Sequence, residues 1–123
     1  MPYAAALPAA PRGARIGKAP AMIVTVFRSR LLPGIRDEYV VLANRMNELA
    51  ATMPGYISHK GFFADDGERV TIVEFESEEG MRAWRSHPEH VEAQRKARQK
   101  YYSEYQVQVC ELVREANFKN SGS

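Results

Sequence analysis

The chain has 123 residues, of which 45% are hydrophobic and 26% charged, as in an ordinary globular protein of one domain. Its net charge of +2 arises in the first twenty residues, because from Met22 onwards 14 basic residues face 15 acidic ones. A nearly neutral folded part argues against a nucleic-acid partner, which would need a clustered basic face. No apolar run reaches the 18 residues of a membrane span.

The first 21 residues are rich in Ala, Pro and Gly and carry no hydrophobic periodicity, which predicts a disordered extension. Their basic residues follow the weakly apolar part, contrary to the order in a secretory signal. We also consider that translation starts at Met22. Residues 22–113 are predicted to form the folded domain, and residues 114–123 a frayed tail.

Seven elements are predicted in chain order within this domain. β-Branched and aromatic runs predict the strands, whereas apolar spacing of three and four residues and capping signals predict the helices. The order is a strand, a helix, two strands, two helices and a strand: 22–31, 36–53, 55–65, 68–77, 78–86, 88–102 and 104–113. Asp66-Gly67 predicts the hairpin turn, and Ser77 the cap of the second helix. Pro88 suits the first turn of the third helix.

This β-α-β-β-α-α-β order predicts an α+β fold of the ferredoxin-like type, with one antiparallel sheet and helices on one face. The first strand is apolar on both sides, with Ile23, Thr25 and Phe27 opposite Val24 and Val26. Because the helices can cover only one face, the other face predicts a homodimer with the two sheets packed together.

Residues 84–102 gather the side chains that could serve a pocket for a flat organic molecule. Trp84 is either a stacking wall for an aromatic substrate or a core residue. His87 and His90 flank Pro88, and either imidazole could transfer protons near neutral pH. The HPEH segment lacks the spacing of a zinc helix, so no metal is predicted. His59 stands alone on a strand and is interpreted as structural.

Further candidates are less distinctive. Arg98 could contact an anionic oxygen, Tyr102 could place its hydroxyl in the cleft, and Phe62 and Phe75 are either pocket wall or core. Cys110 is the only cysteine, with no basic residue beside it, so we predict that it packs in the last strand. A chain without disulfides favours a cytoplasmic location. No phosphate loop or dinucleotide fingerprint is present, and no cofactor is predicted.

Several segments together resemble the antibiotic biosynthesis monooxygenase domain, of the dimeric α+β barrel superfamily. They are MIVTVFRSRLLPG, the MPGY turn, VTIVEFES and the block AWRSHPEHVEAQ…YYSEYQVQVCE. The resemblance implies a homodimer in which each subunit holds a pocket between helices and sheet. Some members oxygenate electron-rich phenols or quinols without a cofactor, and others break down haem.

The sets of catalytic residues known in the family do not carry over. The haem-degrading branch uses an asparagine and a histidine that would fall near Phe27 and Gln94, although Trp84 matches its tryptophan. The polyketide-oxidising branch uses residues whose places are taken here by Thr71, Phe75, Met81 and Gln94.

The function expected from residues and resemblance is therefore a cofactor-independent monooxygenase acting on a phenol- or quinol-like aromatic molecule. His90 and Arg98 are its expected catalytic residues, and Trp84, His87, Tyr102, Phe62 and Phe75 its expected substrate contacts. The alternatives are a small-molecule-binding or stress-linked dimer without catalysis, and a non-oxidative isomerase or decarboxylase that uses His90 as the proton carrier.

Overall fold

The computed structural model describes residues 21–121, so almost all of the extension predicted to be disordered lies outside the described residues. It has four strands and three helices in the predicted order, which confirms the α+β fold class. Their bounds are β1 Ile23–Leu31, α1 Arg36–Ala50, β2 Tyr56–Phe63, β3 Arg69–Phe75, α2 Glu78–Arg85, α3 Pro88–Lys100 and β4 Tyr102–Glu111. Residues 112–121 form no helix or strand.

The strands form one antiparallel sheet in the order β2-β3-β1-β4. The first strand lies inside the sheet and pairs with both β3 and β4. Val26, for example, stands between Ile72 and Gln108, and Ser29 stands opposite Arg69. The last strand, β4, is an edge strand, and most of its residues are exposed.

Most element ends lie one to three residues from the predicted bounds, and two of these differences have a clear structural cause. The first helix ends at Ala50 because the N–H groups of Thr52 and Met53 donate to carbonyls three residues back, each at 3.0 Å, which tightens the chain before Pro54. The last strand starts two residues earlier than predicted, at Tyr102, because a shift of register at Ser103, an extra residue in β4, lets Tyr102 pair with Leu31.

The turns and caps follow the sequence signals. Gly67 takes a φ of 93° in the predicted hairpin turn, a conformation that costs glycine little. The Ser77 hydroxyl accepts a hydrogen bond from the N–H of Gly80 at 3.2 Å, as expected of the cap of α2.

The main core lies between the helices and one face of the sheet. Phe75, Met81 and Trp84 are almost fully buried there, together with Ile23 and Val73 from the strands. Burying each such side chain stabilises the fold by about 1.5–3 kcal/mol. Tyr39, Ala97 and Tyr101 form a second, smaller cluster at the other end of the helical layer.

The opposite face of the sheet carries apolar side chains that no described helix covers. Val24, Val26 and Ile72 alternate with the core residues and are half-buried, and Phe62 is 47% exposed. Cys110 is exposed in the single chain, so the structure does not place it in a packed environment. In residues 21–121 no helix has both the length and the apolar character needed to cross a bilayer. The cytoplasmic location stays a prediction.

Candidate functional site

A cavity of about 350 Å³, which we name the central cavity, lies between the helices and the helix-facing side of the sheet. Alternate residues of each strand point into it, as the two-residue period of a strand requires. The sheet contributes Thr25, Phe27, His59, Arg69, Thr71, Val73, Tyr105 and Val107. The helices and the start of β4 contribute, among others, Tyr39, Met81, Trp84, Arg85, His90, Gln94, Arg98 and Tyr102.

Small side chains on the helices leave this space open. Ala43, Ala93 and Ala97 line the cavity at positions where α1 and α3 face the sheet, and a larger residue there would fill it. The two alanines of α3 are themselves buried, so the helix is held against the core while the space beside it remains. A volume of this size is in the range of pockets for small organic molecules.

The three histidines of the chain surround its single tryptophan. The His90 ring stacks on the Trp84 indole at 4.1 Å between centroids and an angle of 8°. The His59 ring is perpendicular to the indole at 6.1 Å, and the His87 ring is tilted at 6.4 Å. One indole face is therefore occupied by an imidazole, so Trp84 positions His90 rather than offering that face to a ligand.

One hydrogen bond fixes the protonation pattern of His90. Its Nδ1 lies 3.2 Å from the Trp84 carbonyl oxygen, which can only accept, so Nδ1 carries a proton. Burial lowers the pKa of His90, more than this carbonyl raises it, and the ring is neutral at pH 7. Its Nε2 is then an unprotonated acceptor, with no hydrogen-bond partner among residues 21–121.

His59 faces the same cavity from β2. Burial lowers its pKa to about 4, with smaller contributions from the nearby charges of His90 and Arg69. Both cavity imidazoles are thus neutral near pH 7. Burial is the main reason for both lowered pKa values, and the charge of Arg69 adds a smaller effect at His59.

Two tyrosines place hydroxyls at the cavity. The Tyr102 and Tyr39 hydroxyl oxygens are 3.4 Å apart, and either can donate to the other. Burial is the main reason that the pKa of Tyr102 is raised, so its hydroxyl keeps its proton at neutral pH. It can donate a hydrogen bond to a ligand oxygen but cannot act as a base.

The charges of the cavity wall are all of one sign. Arg69, Arg85 and Arg98 line the cavity, and no Asp or Glu among the described residues does. None of these arginines takes part in an ion pair within residues 21–121. Arg85 and Arg98 are exposed, whereas Arg69 is half-buried.

The residues predicted from the sequence separate into two groups. Trp84, His90, Arg98 and Tyr102 line the central cavity together.

His87, Phe62 and Phe75 do not line the cavity. His87 caps α3, since its Nδ1 accepts from the N–H of Glu89 at 3.1 Å. Phe75 is fully buried in the core, and Phe62 points to the opposite face of the sheet because it alternates with cavity-side residues. None of these three side chains therefore lines the cavity.

Among the other lining residues are Arg69, Tyr39 and His59, which the sequence alone does not mark as ligand contacts. The alternation of β3, in which Arg69 precedes Thr71 and Val73 on one face, was a signal that could have placed Arg69 at the cavity. Among residues 21–121 no cluster of three or more His, Cys, Asp or Glu side chains could hold a metal ion.

Comparison with known proteins agrees with this architecture. A mycobacterial protein, Rv0793 from Mycobacterium tuberculosis, superposes with a TM-score of 0.72 at 18% identity, over 79% of this chain and all of the other. A variant of SnoaB from Streptomyces nogalater, described as a cofactor-independent oxygenase, gives a TM-score of 0.69 at 15% identity, over 77% and 96% of the two chains. At these identities the likeness establishes the fold alone.

Sequence comparison goes further. The protein YqjZ of Bacillus subtilis, whose function is uncharacterised, is 32% identical over 83 residues, or 68% of this chain and 73% of YqjZ. The profile of a family described as antibiotic biosynthesis monooxygenase matches residues 22–96. Because that match covers more than half of the sequence, the chain belongs to the antibiotic biosynthesis monooxygenase family.

Proposed function

We propose that this protein is a cofactor-independent monooxygenase that oxidises a phenol- or quinol-like aromatic molecule in the central cavity. The observation that carries the proposal is His90. Its Nδ1–H is held by the Trp84 carbonyl, and its Nε2 is a neutral, unpartnered base on the wall of an aromatic-rich cavity. The likeness of fold to SnoaB supports the reaction class, whereas the residue roles rest on this geometry.

The first step in this mechanism is removal of the phenol proton by His90 Nε2. A neutral imidazole held in one tautomer suits a general base, because its lone pair is available at the operating pH. Stacking on Trp84 restricts the ring to one orientation. The resulting imidazolium stays close to the phenolate and offsets its charge.

The electron balance requires no external reductant. Conversion of a phenol and O₂ into a quinone and water takes all four electrons from the substrate. The phenolate passes one electron to O₂, the radical pair combines into a peroxide at the ring carbon, and the O–O bond then breaks. One oxygen atom remains as the new carbonyl and the other leaves as water with the two hydrogens that the substrate lost.

The remaining polar groups would stabilise the oxyanion. Tyr102 keeps its proton and can donate to the phenolate oxygen, while the Tyr39 hydroxyl lies next to it. Arg98 is exposed at the cavity and supplies positive charge that attracts an anionic substrate. The apolar part of the wall would exclude water from the reactive intermediates.

The test is oxygen uptake by purified protein with a panel of hydroquinones and polycyclic phenols. We expect His90→Gln to reduce kcat/KM by about 10²- to 10⁴-fold, the usual contribution of a positioned general base. Glu92→Gln, on the exposed face of the same helix, is the matched control. In the wild type, kcat/KM should fall with decreasing pH at values below the ordinary imidazole pKa, because burial lowers the pKa of His90, and this limb should be absent in His90→Gln.

Other outcomes would favour the alternative functions. Binding of these aromatics without oxygen uptake would support a non-catalytic binding protein. Conversion under nitrogen that needs His90 would support an isomerase or decarboxylase, because the same imidazole can move a proton without oxidation. Equal activity of His90→Gln and wild type would remove His90 from the mechanism.

We further propose that two copies pack through the sheet face that the helices leave uncovered. Val24, Val26 and Ile72 form an apolar strip on that face, and members of this family are typically dimers. Sedimentation equilibrium tests the stoichiometry, and a monomer at all concentrations would contradict it.

A further inference from the structure

We infer that one corner of the central cavity is a subsite for the carboxylate of the substrate, with Arg69 as its anchoring group. The ligand would then be an aromatic acid, not a neutral phenol. This inference rests on the proposed function in taking the ligand to be aromatic and to occupy the same cavity.

The guanidinium of Arg69 packs over Gly61 of the neighbouring strand β2. A Cβ atom added to Gly61 would meet Arg69 Nη2 at 2.0 Å, so the guanidinium keeps this position only while residue 61 has no side chain. The Arg69 Cζ atom lies 4.9 Å from the Phe63 ring centroid and 5.4 Å from that of Tyr39. The two aromatic rings, together with a glycine that has no side chain, thus hold the guanidinium against the surface of the sheet.

No carboxylate balances this cation. Arg69 has no hydrogen bond or ion pair within residues 21–121, and the cavity it lines contains no acidic residue. Five other arginines in the same range do pair with Asp or Glu side chains: Arg28, Arg30, Arg45, Arg82 and Arg95. A half-buried guanidinium without a partner loses hydration that only a ligand anion would replace.

Two buried polar atoms without a hydrogen-bond partner belong to Arg69 and to the residue opposite it. Within residues 21–121, the buried side-chain atoms without a hydrogen-bond partner are Ser29 Oγ and Arg69 Nε. Ser29 and Arg69 stand opposite each other in the register of β1 and β3, so both side chains are on the helix-facing side. Buried polar groups are normally satisfied, so the Nε–H of Arg69, which lines the cavity, is a donor still open to an acceptor such as a ligand anion.

The geometry of the guanidinium favours a carboxylate in particular. Its planar set of N–H donors matches two carboxylate oxygens, whereas a single phenolate oxygen uses the fork less fully. The neutral base His90 lies elsewhere on the wall, against Trp84. A hydroxylated aromatic acid could therefore place its carboxylate at Arg69 and its phenol at His90.

The test compares three probes with one ring system under nitrogen by titration calorimetry: 6-hydroxy-2-naphthoic acid, its neutral amide of similar shape, and 2-naphthol, which lacks the carboxyl group. We expect the wild type to bind the acid at least about tenfold more tightly than the amide. Arg69→Met should weaken binding of the acid by about 10- to 100-fold and change binding of 2-naphthol less than about twofold. Arg82→Met, an exposed arginine of α2, is the matched control.

Gly61→Ala provides a second variant that keeps the charge. The added methyl should displace the Arg69 fork and weaken binding of the acid, and Arg69→Met added to it should cause little further loss. A wild type without preference for the acid over the amide would overturn the inference, as would equal losses for the acid and 2-naphthol. Because these measurements involve no turnover, an Arg69-dependent preference without oxygen uptake would uphold the subsite and refute the monooxygenase proposal alone.

Discussion

His59 should make the folded protein sensitive to acid. Its pKa in the fold is about 4, because burial disfavours the imidazolium, against 6.5 in an exposed chain. Between these values the unfolded chain binds a proton that the folded chain does not. The contribution of His59 to stability is therefore complete above pH 6.5 and is lost as the pH falls towards 4.

The magnitude follows from the gap between the two pKa values. Each pKa unit corresponds to about 1.4 kcal/mol, so full protonation in the unfolded chain alone would lower the free energy of unfolding by about 3 kcal/mol. About 2 kcal/mol of this is lost between pH 7 and pH 4.5. His59 is half-buried, and the solvent contact that it keeps reduces the expected loss to about 1–2 kcal/mol. In a domain of this size such a loss is a substantial part of the total stability.

The assay is urea unfolding at pH 7 and pH 4.5, followed by the fluorescence of Trp84 at one fixed protein concentration. The matched variant is His59→Gln, which keeps a polar side chain of similar size but does not titrate. Other groups, including His90 and the carboxylates, titrate in both proteins and cancel in the comparison. If wild type and His59→Gln lose the same free energy of unfolding between the two pH values, the reasoning about His59 is refuted.

Three further predictions concern packing, capping and assembly. Phe75→Ala should lower the free energy of unfolding by about 3–5 kcal/mol because Phe75 is fully buried. The control Phe118→Ala changes a residue that is 89% exposed and should alter this free energy by less than about 0.5 kcal/mol. Urea midpoints that shift equally in the two variants would contradict this. His87→Ala should lower the free energy of unfolding by about 1 kcal/mol because the α3 cap is lost, whereas His87→Asn, which can still cap, should lower it much less. Thermal unfolding of both variants measures this difference, and equal losses of stability would argue against capping. Val26→Lys should yield monomers in sedimentation and speed thiol labelling of Cys110 on the same face, and unchanged dimers would move the interface elsewhere.

The element order was readable from the sequence because each signal is local. Apolar periodicity in α1, β-branched runs in the strands, the Ser77 cap and the Asp66-Gly67 turn all act within a few residues. Element ends were less predictable. The early start of β4 depends on pairing between Tyr102 and Leu31, residues that are far apart in the chain.

The candidate site was predictable in part. Trp84, His90, Arg98 and Tyr102 lie close together in the chain, so helical spacing indicated a shared layer, and all four line the cavity. The sequence does not show that His87 and His90 have different roles, because only the hydrogen bond that His87 accepts from the Glu89 N–H reveals it as a helix cap.

The sequence by itself determined the fold class, the helical layer that carries His87 and His90, and the apolar second face of the sheet. Those properties follow from the periods of strands and helices and from local capping. Only the tertiary structure decided which side chains share the cavity, because strand register brings Arg69 beside Gly61 and opposite Ser29, and sets His59 against Trp84. The unpaired state of Arg69 also became visible only there, since a counter-ion can come from any part of the chain.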